Sequence, residues 1–243
     1  MDLTALDYTY ILLAALIVGF SKTAIGSIGI LAVVLMTIAI PGKDSPGVLL
    51  PMLIVADIFA VIYYRRDCRW DILIKLFPLT AVGIVIGYFS LKFIPAAFFP
   101  PAIGVIILVM LVVELGLTDG RNTKLGGALL TGFVGIFAGI ATMVANAAGS
   151  IFEIYLLQMG LTKKDFVGTR SWYFLIVNIF KIPFSANLGL LTAESLKLNL
   201  MYIPVIFIGA FLGVKVVSYL NLNVFKWVIR VAVVVSAVRL IAF

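Results

Sequence analysis

The sequence predicts an all-α integral membrane protein built from two inverted repeats, and three observations support this fold class. The 243-residue chain is 63% hydrophobic and only 12% charged, and its mean hydropathy is +1.22, well above an ordinary globular domain. Its apolar residues form long continuous runs, whereas a β-barrel needs alternating strands of about ten residues. The two halves of the chain also carry matching motifs in the same order. Each half is therefore expected to contain a broken helix pair, either re-entrant or V-shaped, and three spanning helices.

Ten apolar segments follow one another along the chain. A helix needs about 20 residues to cross a hydrocarbon core of roughly 30 Å, and four of these segments are short. Residues 21–25 separate the first two segments, and residues 143–150 separate the sixth and seventh, so each pair is predicted to be one broken helix unit. The predicted segments are 8–20, 26–40, 46–64, 71–92, 99–117, 125–142, 149–159, 167–186, 198–217 and 224–242.

The internal repeat rests on four matches between the halves. Lys43–Gly47 matches Lys164–Gly168, and Asp57 matches Asn178. The set Pro78, Gly83 and Gly87 matches the set Pro204, Gly209 and Gly213, and Gly26-Ser27 matches Gly149-Ser150. We therefore expect a first transmembrane repeat over residues 1–120 and a second over residues 121–243. The glycines of the third match are expected to let helices pack closely, within one chain or between the two copies of a homodimer.

The basic residues predict how the chain is oriented in the lipid bilayer. If each broken pair returns to the side from which it entered, most loop lysines and arginines lie on the cytoplasmic side, as the positive-inside rule requires. Both termini then lie outside, and the two repeats are inverted relative to each other. The predicted location is the inner (plasma) membrane, crossed several times.

Composition argues against several other classes of function. The net charge of +7 sits in short loops between spans, where membrane orientation explains it, so no nucleic-acid partner is expected. The chain has no histidine and a single cysteine, Cys68, so it lacks the usual residues of metal sites and of acid–base catalysis. We predict no metal site, no cofactor and no enzymatic activity. A membrane enzyme would need a nucleophile paired with a base, which the sequence does not offer.

A polar stripe crosses the eighth segment. Arg170, Ser171, Phe174, Asn178 and Lys181 recur at three- and four-residue spacing and share one helical face. A Lys or Arg near the centre of a membrane helix costs about 2.5–3.5 kcal/mol, so it needs a partner, an interface or a ligand. The stripe could serve an anion or could only bond to neighbouring helices, and Arg170 could instead be a cytoplasmic orientation signal.

The two breaks supply the rest of a candidate anion site. A helix that restarts near Gly149 would aim unpaired N–H groups into the gap. Lys22 brings a cation to the first break. Asn146 brings an amide to the second, where it could contact the anion or only hold the break open. The predicted substrate-binding residues are Lys22, Ser27, Asn146, Gly149, Ser150, Arg170, Asn178 and Lys181.

Two carboxylates inside apolar segments have several interpretations. Asp57 could pair with a lysine, carry a coupling proton or cap a broken helix. Glu153 is expected on the first turn after the second break, where a carboxylate would favour the helix dipole.

Several motifs of the second half carry a resemblance to a known family. They are Val144–Gly149, Ile154–Leu157, Phe166–Thr169 with Trp172 and Asn178, and Lys181–Ser185 leading to Leu188-Gly189. The chain resembles the sulfite exporter TauE/SafE family of bacterial membrane transporters over essentially its whole length. In the first half, Gly19-Phe20 and Gly26 are similar to the family's glycine-rich first motif, with Ser21–Ala24 interposed. The resemblance implies transport of a sulfur-containing anion, such as sulfite or an organosulfonate like sulfoacetate, without a cofactor.

The leading prediction is a secondary transporter that exports such an anion by alternating access, with its site where the two breaks face each other. An anion channel, in which the polar stripe lines a continuous pore, is the alternative. An inside-negative potential alone can drive an anion out, and Asp57 is the candidate proton carrier if transport is coupled.

Overall fold

A computed structural model describes most of the chain as helices. It describes residues 3–24, 26–42, 44–93, 95, 98, 101–102, 104–106, 108–109 and 128–216. The predicted segment 224–242, most of 99–117 and the predicted repeat boundary at 120–121 lie outside these residues. The main helices are α1 (Ala5–Thr23), α2 (Gly29–Ala39), α3 (Asp44–Tyr64), α4 (Trp70–Phe93), α5 (Ala128–Ala145), α6 (Gly149–Gln158), α7 (Lys163–Asn187) and α8 (Ala193–Val216).

Four of the helices within the described ranges, α1, α3, α4 and α8, are long and apolar enough to cross a membrane. In contrast, α2 has 11 residues and α6 has 10, which is about half of the length that a bilayer requires. Helix α7 has 25 residues but carries the polar stripe. The chain is therefore an all-α, multi-pass membrane protein, as predicted.

The first break begins three residues later than predicted. Helix α1 continues through Ser21, Lys22 and Thr23, and a 3₁₀ turn over Gly26–Ile28 leads into α2. Ser21 Oγ donates to Val18 O at 3.0 Å, and Thr23 Oγ1 donates across to Ala210 O at 2.8 Å. Because their hydroxyls bond to backbone carbonyls of the helix or its neighbour, these polar residues do not interrupt the helix.

The second break is at Asn146. This residue has a φ of +53°, a left-handed conformation that asparagine tolerates better than most residues. Its N–H bonds back to Thr142 O at 3.0 Å, which completes the end of α5. Helix α6 then starts at Gly149, where the sequence predicted it.

Glycines allow two pairs of helices to pack at backbone distance. Helix α1 packs along α8, and α5 packs along α4. A Cβ added at Gly209 would lie 2.1 Å from Leu16 O, and one added at Gly83 would lie 2.0 Å from Ile136 O, so only glycine fits at these positions. The predicted packing role is confirmed for the matched glycines Gly83, Gly87, Gly209 and Gly213, each of which faces another helix of the same chain.

We group the described helices into two sets around the polar centre: bundle A, with α1, α2, α3 and α8, and bundle B, with α4, α5, α6 and α7. Helix α7 packs more extensively against α3 than against any helix of bundle B. The main contact between the bundles is α3 against α7. Gly47 near the start of α3 touches Leu190 beyond the end of α7, and Asp67 beyond the end of α3 touches Gly168 near the start of α7. The two helices therefore run antiparallel over their whole length.

Candidate functional site

A chain of buried polar side chains crosses the contact between α3 and α7. Lys22 Nζ forms an ion pair with Asp57 Oδ1 at 2.8 Å. The other oxygen of Asp57 accepts a hydrogen bond from Asn178 Nδ2 at 2.6 Å. Asn178 Oδ1 then accepts from Lys181 Nζ at 3.1 Å. Asn178 and Lys181 can join in this way because residues three apart on a helix are neighbours. We call these four residues, together with Thr142 and Asn146, the central network.

Lys181 connects α7 to the second break. Its ammonium donates to Asn146 Oδ1 at 2.5 Å and to Thr142 Oγ1 at 3.1 Å. Asn146 Nδ2 donates to Pro46 O of α3 at 3.0 Å. The amide of Asn146 thus ties the left-handed turn to a helix of the other bundle and holds the lysine in place.

A second cluster ties the first break to bundle B. Arg170 Nη1 pairs with Glu153 Oε1 at 2.5 Å and donates to Ala24 O at 3.2 Å, while Nη2 donates to Lys22 O at 2.7 Å. Glu153 Oε1 also accepts the Gly26 N–H at 2.7 Å. The carbonyls at the end of α1 have no partner in their own helix. The guanidinium supplies charge-assisted donors to them.

The expectation for Glu153 was wrong in its placement. Because α6 begins at Gly149, Glu153 lies in its second turn, away from the unpaired N–H groups of that helix. Its carboxylate is engaged by Arg170 and by the backbone of the first break.

A cavity of about 30 Å³ lies where the two breaks meet. This is room for one or two water molecules. Lys22 lines it from α1, and its ammonium lies 4.3 Å from the centre of the Phe174 ring. The lining residues are Ser21, Lys22, Gly26, Gly29, Ile30, Leu53, Thr142, Asn146, Ala147, Gly149, Arg170, Phe174 and Asn178.

The structure brings most of the predicted site residues to this cavity. Lys22, Asn146, Gly149, Arg170 and Asn178 line it directly. Two other predicted residues, Lys181 and Asp57, do not line the cavity but contact residues that do. Lys181, 1% exposed, bonds to the lining residues from behind, and the fully buried Asp57 pairs with the lining lysine. The side chains of Ser27 and Ser150 lie outside the described part of the structure.

Two asparagine amides have donor capacity beyond the bonds just described. An amide nitrogen carries two N–H groups, and each Nδ2 of Asn146 and Asn178 makes one hydrogen bond in the described structure. Both residues line the cavity. Since their oxygens accept from Lys181, the cation polarises both amides and strengthens the remaining N–H groups as donors.

Sequence reasoning missed Thr142 as part of the network. Thr142 lies four residues before Asn146, so the two share a helix face that leads into the break. This spacing was a usable signal. The ion pair of Glu153 with Arg170 had no comparable signal, because its partners come from separate helices.

Apolar helices that enclose a charged network around two helix breaks define a multi-pass membrane protein of the transport class. The family described as sulfite exporter TauE/SafE matches residues 11–240, and the chain belongs to that family. This is a family of transporters. No curated protein and no solved structure matches the chain.

Proposed function

We propose that the chain is a secondary transporter that exports a small sulfur-containing anion, sulfite or an organosulfonate such as sulfoacetate, across the inner membrane. Family membership supplies the substrate class. The observation that carries the proposal is a cavity lined by residues from both helix breaks. A midplane site between broken helices is the common arrangement of secondary transporters.

The anion is bound mainly by uncharged donors in this proposal. The second N–H groups of Asn146 and Asn178 would donate to its oxygens, together with the unpaired N–H groups at the start of α6 near Gly149. Lys22 faces the same space and supplies a nearby cation. The hydroxyls of Ser27 and Ser150 remain candidate donors from the two breaks.

The other predicted site residues have positioning roles. Arg170 lines the cavity but its two terminal nitrogens bond to Glu153 and to carbonyls of α1, so it holds the first break in place. Asp57 holds Lys22 and orients Asn178. It remains the candidate carrier of a coupled proton.

Two features support inverted repeats over residues 1–120 and 121–243. The matched glycines Gly83 and Gly209 make the same backbone contact in the two helix pairs. Asp57 and Asn178, which occupy equivalent positions in the sequence match, bond directly to each other. If a pseudo-two-fold axis relates the halves, contact between equivalent residues requires that the axis pass between them.

The contacts of α2 support a re-entrant first pair. Gly29, at the start of α2, lies beside Ser21 near the end of α1. Thr37 Oγ1 lies 3.0 Å from Ser45 Oγ at the start of α3. Helix α2 thus returns to the end of α3 that is opposite the basic loop at 65–69. With that loop in the cytoplasm, α1 would enter from outside and the pair would return there.

Alternating access is proposed to move bundle A against bundle B. Glycine contacts at backbone distance within each bundle join helices from different proposed repeats, so a rigid repeat could not move without breaking them. The contacts of Gly47 with Leu190 and of Gly168 with Asp67 join the bundles at the two ends of α3 and α7 and would have to change as the bundles move. The polar bonds of the site, including Asp57 to Asn178 and Asn146 to Pro46, cross between the bundles. An anion entering the 30 Å³ cavity would replace some of these bonds and enlarge the space.

The proposal is tested with the purified chain in liposomes. Labelled sulfite and sulfoacetate should exchange across the membrane in a saturable way and show counterflow. Asn178→Ala should abolish exchange, because it removes the amide that joins Asp57 to Lys181. Ser171→Ala is the matched control on the same helix face: its hydroxyl bonds to Val167 O at 2.8 Å within α7, so exchange should persist.

Two outcomes would contradict the transporter assignment. Equal uptake of labelled sulfite and sulfoacetate by empty and protein-containing liposomes would show that the chain does not transport these anions. Conductance beyond the turnover of a carrier, without counterflow, would establish the anion channel instead.

A further inference from the structure

The charges around the cavity do not cancel. Lys22 is paired with Asp57, and Arg170 is paired with Glu153. Lys181 is different: its three bonds go to the neutral oxygens of Thr142, Asn146 and Asn178. Among the described residues it forms no ion pair. The two clusters together therefore hold three cationic side chains and two carboxylates.

The arrangement of oxygens around Lys181 fits a charged lysine. An ammonium has three N–H donors and no acceptor, and three oxygens lie at 2.5–3.1 Å from Nζ. The side chain is 1% exposed, so water does not screen it. An uncompensated charge at such a depth is costly until an opposite charge comes near.

The excess charge is transmitted to the cavity through two amides. Lys181 is not part of the lining, but Asn146 and Asn178 are, and both accept a hydrogen bond from it. An anion bound to the second N–H group of either asparagine would be separated from the Lys181 ammonium by a single side-chain amide. Because specificity is a difference between two binding free energies, the fixed charge of the site should decide between anions of similar shape.

We propose that this site selects its substrate by charge, accepting an anion with one negative charge for which Lys181 is the counter-cation. This inference rests on the proposed function and narrows it. Sulfite would be carried in its singly charged, protonated form. A doubly charged organosulfonate such as sulfoacetate would enter only together with a proton or another cation. The residues that set this preference, Lys181 and Asp57, do not touch the substrate.

The test uses two strong-acid anions whose charge does not change with pH, methanesulfonate with one negative charge and methanedisulfonate with two. Each competes with labelled sulfite for exchange by the full chain in liposomes. Wild-type protein should prefer methanesulfonate by at least about tenfold in competing concentration, since tenfold corresponds to about 1.4 kcal/mol.

Two variants change the site charge by one unit each, and a third keeps it as a control. Asp57→Asn adds one positive charge, so the preference should shift toward methanedisulfonate. The double variant Lys22→Gln/Asp57→Asn removes the same ion pair but restores the original charge. Its exchange should be slower, yet its preference should match that of the wild type. Lys181→Gln removes the excess charge, so both anions should compete more weakly and the preference should shift further toward methanesulfonate, opposite to the shift in Asp57→Asn.

Each outcome decides one question. If Asp57→Asn and the double variant show the same preference, loss of the ion pair rather than charge is responsible, and the inference is overturned. If Asp57→Asn fails to fold, Lys181→Gln decides alone: weaker competition by both anions with a preference shifted further toward methanesulfonate supports the inference, and an unchanged preference or a shift toward methanedisulfonate overturns it. Absence of sulfite exchange by the wild type would instead overturn the proposed function itself.

Discussion

Asn146 combines a backbone role and a side-chain role at one position. Its left-handed backbone, with φ +53°, ends α5, and its amide bonds to Lys181 and to Pro46 O. The two roles can be separated by substitution. Glycine adopts the left-handed conformation without strain, whereas alanine does not.

We expect Asn146→Ala to lower the unfolding temperature more than Asn146→Gly. Both variants lose hydrogen bonds to buried groups, each worth about 1–3 kcal/mol, but only alanine adds backbone strain. Both should also lose the thermal shift that sulfite induces. Melting curves of the purified protein with and without sulfite test this. A sulfite-dependent shift that survives in Asn146→Ala would show that the amide is not needed for binding.

Cys68 offers a second prediction at the residue scale. It lies between α3 and α4 and is partly buried, and burial raises the pKa of its thiol to about 11. The thiolate is the reactive form, so maleimide labelling should be slow at neutral pH and should rise about tenfold per pH unit toward that pKa. Mass spectrometry of timed samples measures the rate. Fast labelling at neutral pH, with no rise as the pH increases, would contradict the prediction.

At the scale of elements, the first break depends on partners from elsewhere in the chain. The end of α1 is held by Arg170 of α7, and the 3₁₀ turn before α2 is held by Glu153 of α6. Neither α2 nor α6 has a side-chain cap at its own start. The first break is therefore maintained by tertiary contacts, whereas the second also has the local left-handed turn at Asn146.

The ion pair between Arg170 and Glu153 should be strongly coupled. Arg170→Met leaves a buried carboxylate without its cation, and such single losses cost about 3–5 kcal/mol. The double variant Arg170→Met/Glu153→Gln should be less destabilised than the single variant. Chemical unfolding of the four proteins of this cycle provides the comparison. Additive effects of the two substitutions would show that the pair contributes no coupling energy.

The approximate position of each break could be predicted from the sequence, whereas the hydrogen-bond partners of its residues could not. The restart of α6 at Gly149 follows from small residues between apolar runs. Helix α1 extended further than predicted because hydroxyls at its end bond to backbone carbonyls, which composition does not reveal. Lys181 was identified by its position in an apolar helix, but its bond to Asn146 joins residues 35 positions apart. Such pairings depend on how the helices pack.

For the whole molecule, the two bundles do not follow the order of the chain. Bundle A takes α8 from the second half, and bundle B takes α4 from the first. The glycine contacts that join these helices to α1 and α5 are at backbone distance. Rigid units in transport are therefore expected to contain parts of both proposed repeats.

Distances between lipid-facing positions distinguish the two kinds of motion. Leu12, Val82 and Leu200 are 43%, 51% and 64% exposed. Leu12 and Leu200 belong to bundle A but to different proposed repeats, so their distance should stay fixed when sulfite is added. Leu12 and Val82 belong to one proposed repeat but to different bundles, so their distance should change. Double electron–electron resonance on spin-labelled pairs measures both. A fixed Leu12–Val82 distance with a changing Leu12–Leu200 distance would establish motion of whole repeats.

The hydrogen bond between Asp57 and Asn178 also bears on how such a chain could arise. In a dimer of two identical half-length chains, the residues beside the symmetry axis must be the same. Two carboxylates at the 2.6 Å separation of this bond would have to share a proton, and two asparagines would leave Lys22 without a counter-ion. Gene duplication and fusion remove this restriction. The joined chain can place an acid on one side of the proposed axis and an amide on the other.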